Sequence, residues 1–422
     1  MTERTEKSKL KLVEDTFWHQ LANLGGDGNP HEPPEATGRQ YWNAYFKAVG
    51  NREDATDENY VERHSVLSEV DFVSLSNLIY DFSKKDKIDY WNPPGKIDFS
   101  QVRFGDEVNF ANFTFPWSVS FENAVFESFA DFRDATFTAH ANFSDATFTG
   151  IADFRDASFT GNPAFRKATF ADDAAFIGAT FTGFADFRKA TFTGFALYID
   201  ARFTENALFN KATFKDTADF KSANFNTTTN FTKTKFLKHP PAFFDANVSQ
   251  DTIWQDTTFP KPPSDKDEAH AHKRAYERLS LMMSRLEKSH DKHMFFRHEM
   301  RMRRRLETNW FSIFMNGAYA LFSNYGYGFG RALAWWFGHI FLGACLLFIP
   351  APQNWAGVVN SVATSFANAH SFLGLNRGPL KTVYADYAKW DFFNVVWTVQ
   401  GLLGILFLFF LILTIRNRFK MG

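Results

Sequence analysis

From Phe99 onward, large apolar residues return at alternating steps of five and six, with polar residues filling the places between. Steps of eleven from Phe99 land on Phe110, Phe121, Phe132, Phe143, Phe154, Phe165, Phe176, Phe187, Tyr198, Phe209, Phe220 and Phe231. The same steps from Phe104 land on Phe115, Phe126, Phe137, Phe148, Phe159, Phe170, Phe181, Phe192, Phe203, Phe214, Phe225 and Phe236. A helix returns an apolar residue every three or four positions and a half-buried strand every second one, so the spacing fits neither. Two residues before most rings stands a small residue, as at Ala130, Ala135, Ala141, Ala146, Ala152, Ala157, Ala185 and Ala190. Residues two apart on an extended segment point the same way. The pattern therefore predicts short inward-turned segments that bend at Asp, Gly, Asn or Lys. They must stack, because one coil cannot bury its own inner face. If alternate corners hold one extra residue, four sides of five, six, five and six make a coil of 22 residues. The register slips once, with a step of seven from Phe236 to Phe243 across Lys238-His239-Pro240-Pro241, and then resumes through Val248, Trp254 and Phe259.

A second pattern follows. ALAWWFGHIFLGACLLFI at 332–349 and FFNVVWTVQGLLGILFLFFLILTI at 392–415 carry no Asp, Glu, Lys or Arg. The second is long enough to span a bilayer; the first is at the short end, with Trp335 and Trp336 placed for an interface. Basic residues flank the pair: Arg301, Arg303, Arg304 and Arg305 before it, Arg416 and Arg418 after it. Positive charge stays on the cytoplasmic side, so both termini and the repeat are expected there, and the arginines are candidates for setting topology and touching anionic lipid. The opening MTERTEKSKLKLVEDTFWHQL lacks an apolar signal core and predicts the same side. The expected location is the cell (inner) membrane, multi-pass.

These patterns divide the chain into an N-terminal cap region (1–96), the repeat (97–262), a helical linker (263–309) and a membrane domain (310–422). In the linker, Tyr276, Leu279, Met283 and Leu286 mark one helical face. SHDKH reads as a turn and 294–306 as a second helix. Composition changes this picture little. Of 422 residues 53 are Phe, which the repeat explains, and net charge is −1, which selects no nucleic-acid partner. The single cysteine, Cys345, excludes an intrachain disulfide.

A-D-F-R-D followed by A-T-F-T-G resembles the pentapeptide-repeat proteins. The resemblance implies a right-handed quadrilateral β-helix. With a C-terminal two-span module and the closing RNRF, it extends to the membrane-bound, ion-channel-like subgroup, which commonly carries a helical linker. The expected fold class is thus mainly β, with an α-helical linker and a transmembrane helical hairpin. The family also includes acidic rods that mimic DNA. Here residues 97–173 hold 12 acidic against five basic residues, but 174–262 hold eight against ten, which disfavours that role.

Candidate chemistry is sparse. No hydrolase elbow, P-loop or paired-cysteine motif occurs, so a non-enzymatic protein without cofactor or metal is expected. Glu287, His290 and His293 have metal-compatible spacing, but no further ligand set completes a site, and a solvated turn is the simpler reading. Tyr325-Gly326-Tyr327-Gly328 precedes the first span, the wrong place for a channel filter, and reads as a flexible elbow. His339 and Gln400 are polar groups within hydrocarbon and need partners. Gly401 and Gly404 would let helices approach closely. Between the spans, 357–372 stands where a re-entrant pore segment would. Val358, Val362 and Phe366 share one face of a possible helix, with Asn360, Ser361, Ser365 and Asn368 elsewhere; an amphipathic helix lying on the bilayer fits equally. The leading expectation is a cytosolic scaffold that recruits a protein partner at the membrane. The alternative is a homo-oligomeric two-span channel gated by the β-helix.

Overall fold

The computed structural model describes residues 11–12, 21, 42, 45, 84, 95–349, 351, 354–370 and 392–419. It forms two compact units, residues 1–261 and 262–422.

The first unit is a parallel β-solenoid built from two- and three-residue strands. Every strand pairing between its coils is parallel and joins residues 22 apart, as Ala130 with Ala152, Thr136 with Ser158, Ala141 with Val119 and Thr147 with Thr169, and the bridges across the seven-residue step join residues 23 apart, as Asp219 with Ala242. The five-and-six reading of the sides is correct, and the corners explain it. At each five-residue step the ring residue's carbonyl accepts from the amide three positions on, as from Ala135 N to Phe132 O at 3.2 Å, and the residue between, Asp134, has φ 55°. That is the left-handed third position a type II turn requires, which Asp and Asn tolerate better than most residues. The same position recurs every eleven residues at Asp145, Asp156, Lys167, Gly178, Lys189 and Asp200. The six-residue steps make wider corners whose backbones stack closely. A Cβ on Gly183 would meet the carbonyl oxygen of Gly161 at 2.3 Å, so the closing glycine of A-T-F-T-G is a requirement of close approach.

Inside, each ring stacks on the ring one coil away. Phe132 and Phe154 have centroids 4.8 Å apart and planes within 3°, and Phe137 and Phe159 stand at 4.7 Å and 2°. Neighbouring columns meet edge to face, as in Phe132 and Phe143 at 87°. The stacking distance is the ordinary spacing between strands, so backbone ladder and ring column share one period. The seven-residue step is absorbed without loss of the columns. Phe231 stacks on Trp254 and Phe220 on Phe243, each 23 residues on, so one coil is a residue longer.

Of residues 1–96, few are described. Strand β1 (Lys11–Leu12) pairs with β2 (Val102–Phe104), ahead of the first coil. Trp42 is buried against Phe113 and Phe115 and donates its indole N–H to the Thr114 carbonyl at 2.7 Å.

The second unit is helical. Helix α1 (Lys266–Arg285) begins at Asp265, whose carboxylate accepts from Glu268 N, and packs along α2 (Ser289–Leu306). The turn between them lies at 286–288, where Glu287 has φ 58°. SHDKH is the first turn of α2 and not the reversal expected from its polarity. Helix α3 (Trp310–Ser323) is an element the sequence reading did not separate from the membrane domain. Among the described residues, helices α4 (Phe329–Phe348) and α6 (Phe393–Phe419) are the two long and apolar enough to cross a membrane. Helix α5 (Trp355–Ala369) packs against both.

Candidate functional site: a polar seam inside an apolar helical unit

Helices α4, α5 and α6 meet along a seam of polar side chains. Gln400 on α6 sits at its centre, donating through Nε2 to Ser365 Oγ and, at 3.5 Å, to the His339 carbonyl. Its Oε1 accepts from Asn368 Nδ2 at 3.4 Å, and Ser365 Oγ donates in turn to the Ile340 carbonyl. Trp336 Nε1 donates to His370 Nε2 at 3.2 Å, which leaves His370 Nδ1 to donate to the Phe366 carbonyl at 2.9 Å. Asn368, Ser365 and Thr364 are fully buried, and Ser361, His339 and Gln400 nearly so.

Glycines make this possible. A Cβ on Gly343 would fall within the Gln400 side chain, so that glycine leaves the space the amide occupies. A Cβ on Gly404 would stand 2.0 Å from the Ala369 carbonyl oxygen, so α5 touches α6 backbone to backbone. Gly401 is buried.

The outside of these three helices is apolar. Trp355 is 79% exposed, Phe341 71% and Leu402 66%, and Phe337, Val395, Ile405, Phe409 and Ile412 also face outward. Helix α5 shows the reversal within one element: Ser361, Thr364, Ser365 and Asn368 point in, while Trp355, Val359, Val362 and Phe366 point out. In water such a helix would turn over; in hydrocarbon this is the stable orientation, because amides and hydroxyls need partners that lipid cannot supply.

Of the sequence candidates, His339, Ser365, Gln400 and Gly404 lie on this seam, while Asn360 is half-buried and stands outside it. Arg416 is exposed, and the side chain of Arg418 lies outside the described residues, as does the connecting segment 371–391. The ladder residues Phe132, Phe137, Phe143, Phe148, Phe154, Phe159, Phe187 and Phe192 are all buried in the solenoid columns. Asn368 and His370 complete the seam. Asn368 was noted only as a polar residue of 357–372, and a glycine spaced for close approach opposite a small-residue helix was the available signal.

The elbow after α3 is bonded into one shape and is not the open hinge expected. Asn324, Tyr325 and Gly326 all have left-handed φ, Gly328 N donates to the Ser323 carbonyl at 2.7 Å, and Asn417 Nδ2 donates to the Gly326 carbonyl at 3.2 Å. The asparagine of the terminal RNRF thus ties the end of α6 to this turn. In the α1–α2 hairpin, His298 stacks on Tyr276 at 5.0 Å, and His293 lies against Tyr327 at 4.0 Å. Burial, then Arg301 and Arg297, hold His298 down at about 3; burial, then Lys292 and Arg297, hold His293 at about 4. An unfolded histidine titrates near 6.5. As pH falls from that value toward 3, the unfolded chain takes up protons the hairpin refuses, so the hairpin loses stability on acidification. Protection factors of the α1 and α2 amides, corrected for the pH dependence of intrinsic exchange, should fall between pH 7 and pH 5. His298→Phe, which keeps a ring on Tyr276, should weaken that dependence, whereas an unchanged pH profile would contradict the burial of the ring.

On the solenoid, three Arg–Asp pairs form within single coils. Arg133 Nη2 reaches Asp131 Oδ2 at 2.6 Å, and Arg155–Asp153 and Arg188–Asp186 repeat the distance. Each of these carboxylates also accepts the arginine's own backbone N–H, so it is held in place. Further along the face of Asp131 and Asp153, the equivalent positions are apolar: Ala175 and Leu197, followed by Ile177 and Ile199, with Ile151 41% and Phe195 46% exposed beside them.

A family model described as pentapeptide repeats, in nine copies, matches residues 110–158 and 154–196. No curated protein and no solved structure matches the chain. The matched residues lie within the stacked coils, and the same 22-residue pairing continues on both sides of them. Residues 110–196 of the solenoid are pentapeptide repeats.

Proposed function

We propose that this is a non-enzymatic, membrane-anchored scaffold, whose solenoid presents a cytoplasmic binding face to a protein partner while α4 and α6 span the inner membrane. The observation that carries the reading is the reversed polarity of the helical unit: its amides and hydroxyls are sealed within one chain and its aromatic and aliphatic groups face out. The display role draws support from the strip at Ala175, Ile177, Leu197 and Ile199, an apolar patch that follows the ion-paired rung of Arg155 and Asp153 and continues into the exposed Ile151 and Phe195.

The test has two arms. The full chain should stay in membranes after an alkaline carbonate wash and leave them only with detergent. Partner recovery from detergent extracts should fall several-fold when Ile177→Asp and Leu197→Asp are combined, with Thr160→Asp as an exposed control on another side. Recovery independent of the strip would remove the scaffold reading.

A channel remains the second reading, favoured by one observation: α5 is held between the two long helices, as a re-entrant helix would be. Against it, the Ser365 and Gln400 side chains are already bonded to each other within a single chain, although His339 contributes only its carbonyl to them and keeps a buried Nε2 without a hydrogen bond. Planar-bilayer recording of the purified protein decides the matter, since a conductance altered by Gln400→Leu would favour the channel.

A further inference from the structure

Helix α2 carries nine basic or histidine side chains, and the structure sorts them. Arg303 pairs with Glu299 at 2.8 Å. His293, Arg297, Arg301 and Arg304 recur at steps of four, four and three, which places them on one stripe of the helix. That stripe faces α3 and the elbow. His293 lies on Tyr327, Arg304 lies over Gly317 of α3, and Tyr325 feels the charges of Arg304 and Arg301. Arg297 is half-buried there.

Among the described residues no acid forms an ion pair with Arg297, Arg301 or Arg304. The two carboxylates of α2 short of its end are already committed, Asp291 to Lys288 and Glu299 to Arg303. From Thr308 through Trp390 the only acidic residue is Asp386. Adjacent to the stripe, α3 exposes Trp310, Phe311 and Phe314, the residue types of a helix seated at a membrane interface. Uncompensated guanidiniums beside an interfacial aromatic helix lie at the level of lipid phosphates.

Resting on the membrane reading above, we infer that Arg297, Arg301 and Arg304 form a site for the phosphate of an anionic phospholipid headgroup. Tyr325 and Tyr327 form its wall. Arg303 and Arg305 lie outside it. The site would select anionic over zwitterionic lipid and fix the height at which the hairpin meets the bilayer.

The experiment compares two double variants of the full chain with the same charge change, Arg301→Gln/Arg304→Gln and Arg303→Gln/Arg305→Gln. Detergent-purified protein is titrated with phosphatidylglycerol, phosphatidylcholine and inorganic phosphate, and bound lipid is counted by native mass spectrometry. The wild type should retain phosphatidylglycerol in preference to phosphatidylcholine. The first double variant should weaken that binding at least tenfold and the second less than threefold. Arg297→Gln, followed with circular dichroism to confirm folding, should behave like the first. Equal losses in the two doubles would mean diffuse attraction and overturn the site, as would displacement of the lipid by equimolar inorganic phosphate. Carbonate-wash retention is scored separately: a chain that washes off sinks the membrane reading, whereas one that stays but binds lipid without regard to the stripe sinks only this inference.

Discussion

Phe154→Ala should be the most damaging single change in the solenoid. Phe154 stacks between Phe132 at 4.8 Å and Phe176 at 5.0 Å and meets Phe143 and Phe165 edge to face at 5.5 Å each. Truncating a buried Phe costs about 3–5 kcal/mol. The upper part of that range applies here, because a two-residue strand pinned on both sides by coils has little freedom to collapse into the gap. The columns are nearest-neighbour structures, so the damage should spread along the coils and not stay at one residue. Hydrogen exchange on the full chain should show protection lost across the coils from Phe132 to Phe176. Ile151→Ala, on the outside of the same coil, should shift stability by no more than about 0.5 kcal/mol. Equal effects from the two substitutions would mean that the columns do not carry the fold.

In the helical unit the comparable result is expected from Gly404→Ala. The added methyl has backbone to meet, the Ala369 carbonyl, and no flexible side chain that could move aside. Helices α5 and α6 must separate, which stretches the bonds from Gln400 to Ser365 and Asn368. Overpacking costs about 1–3 kcal/mol, and unsatisfied polar groups in hydrocarbon add to it. The variant should aggregate or broaden on size-exclusion in detergent and lose thermal stability. Gly338→Ala, which meets open space on α4, should behave as wild type. A stable, monodisperse Gly404→Ala would show that the seam is not closed as described.

The two units differ in how far their chemistry could be read ahead. In the solenoid each ring is placed by its neighbours in the chain: Ala and Phe two apart must share a side, and the count of five or six residues specifies the corner. Even the displaced register at Phe236 to Phe243 announces itself as one added residue, and the Trp254 stack repeats it in space. In the linker the same approach misplaced the turn. SHDKH is polar enough for a loop, yet the reversal was won by Glu287 in a left-handed conformation two residues earlier. Helix α3 went unseen because its apolar residues run into those of α4, with only the bonded elbow to separate them.

The amino-acid pattern alone therefore determined the repeating coil, the two long apolar helices and the basic stretches beside them, because each depends on residues close in sequence. Tertiary structure alone decided which face of α5 is inside. An amphipathic helix has the same periodicity whether its polar side meets water or the amide of Gln400, and only a partner 35 residues away in the chain settles the choice. For the same reason Asn360, a candidate, and Asn368, noted only as polar, stand eight residues apart on one helix and end in different surroundings, with Asn368 the one bonded to Gln400.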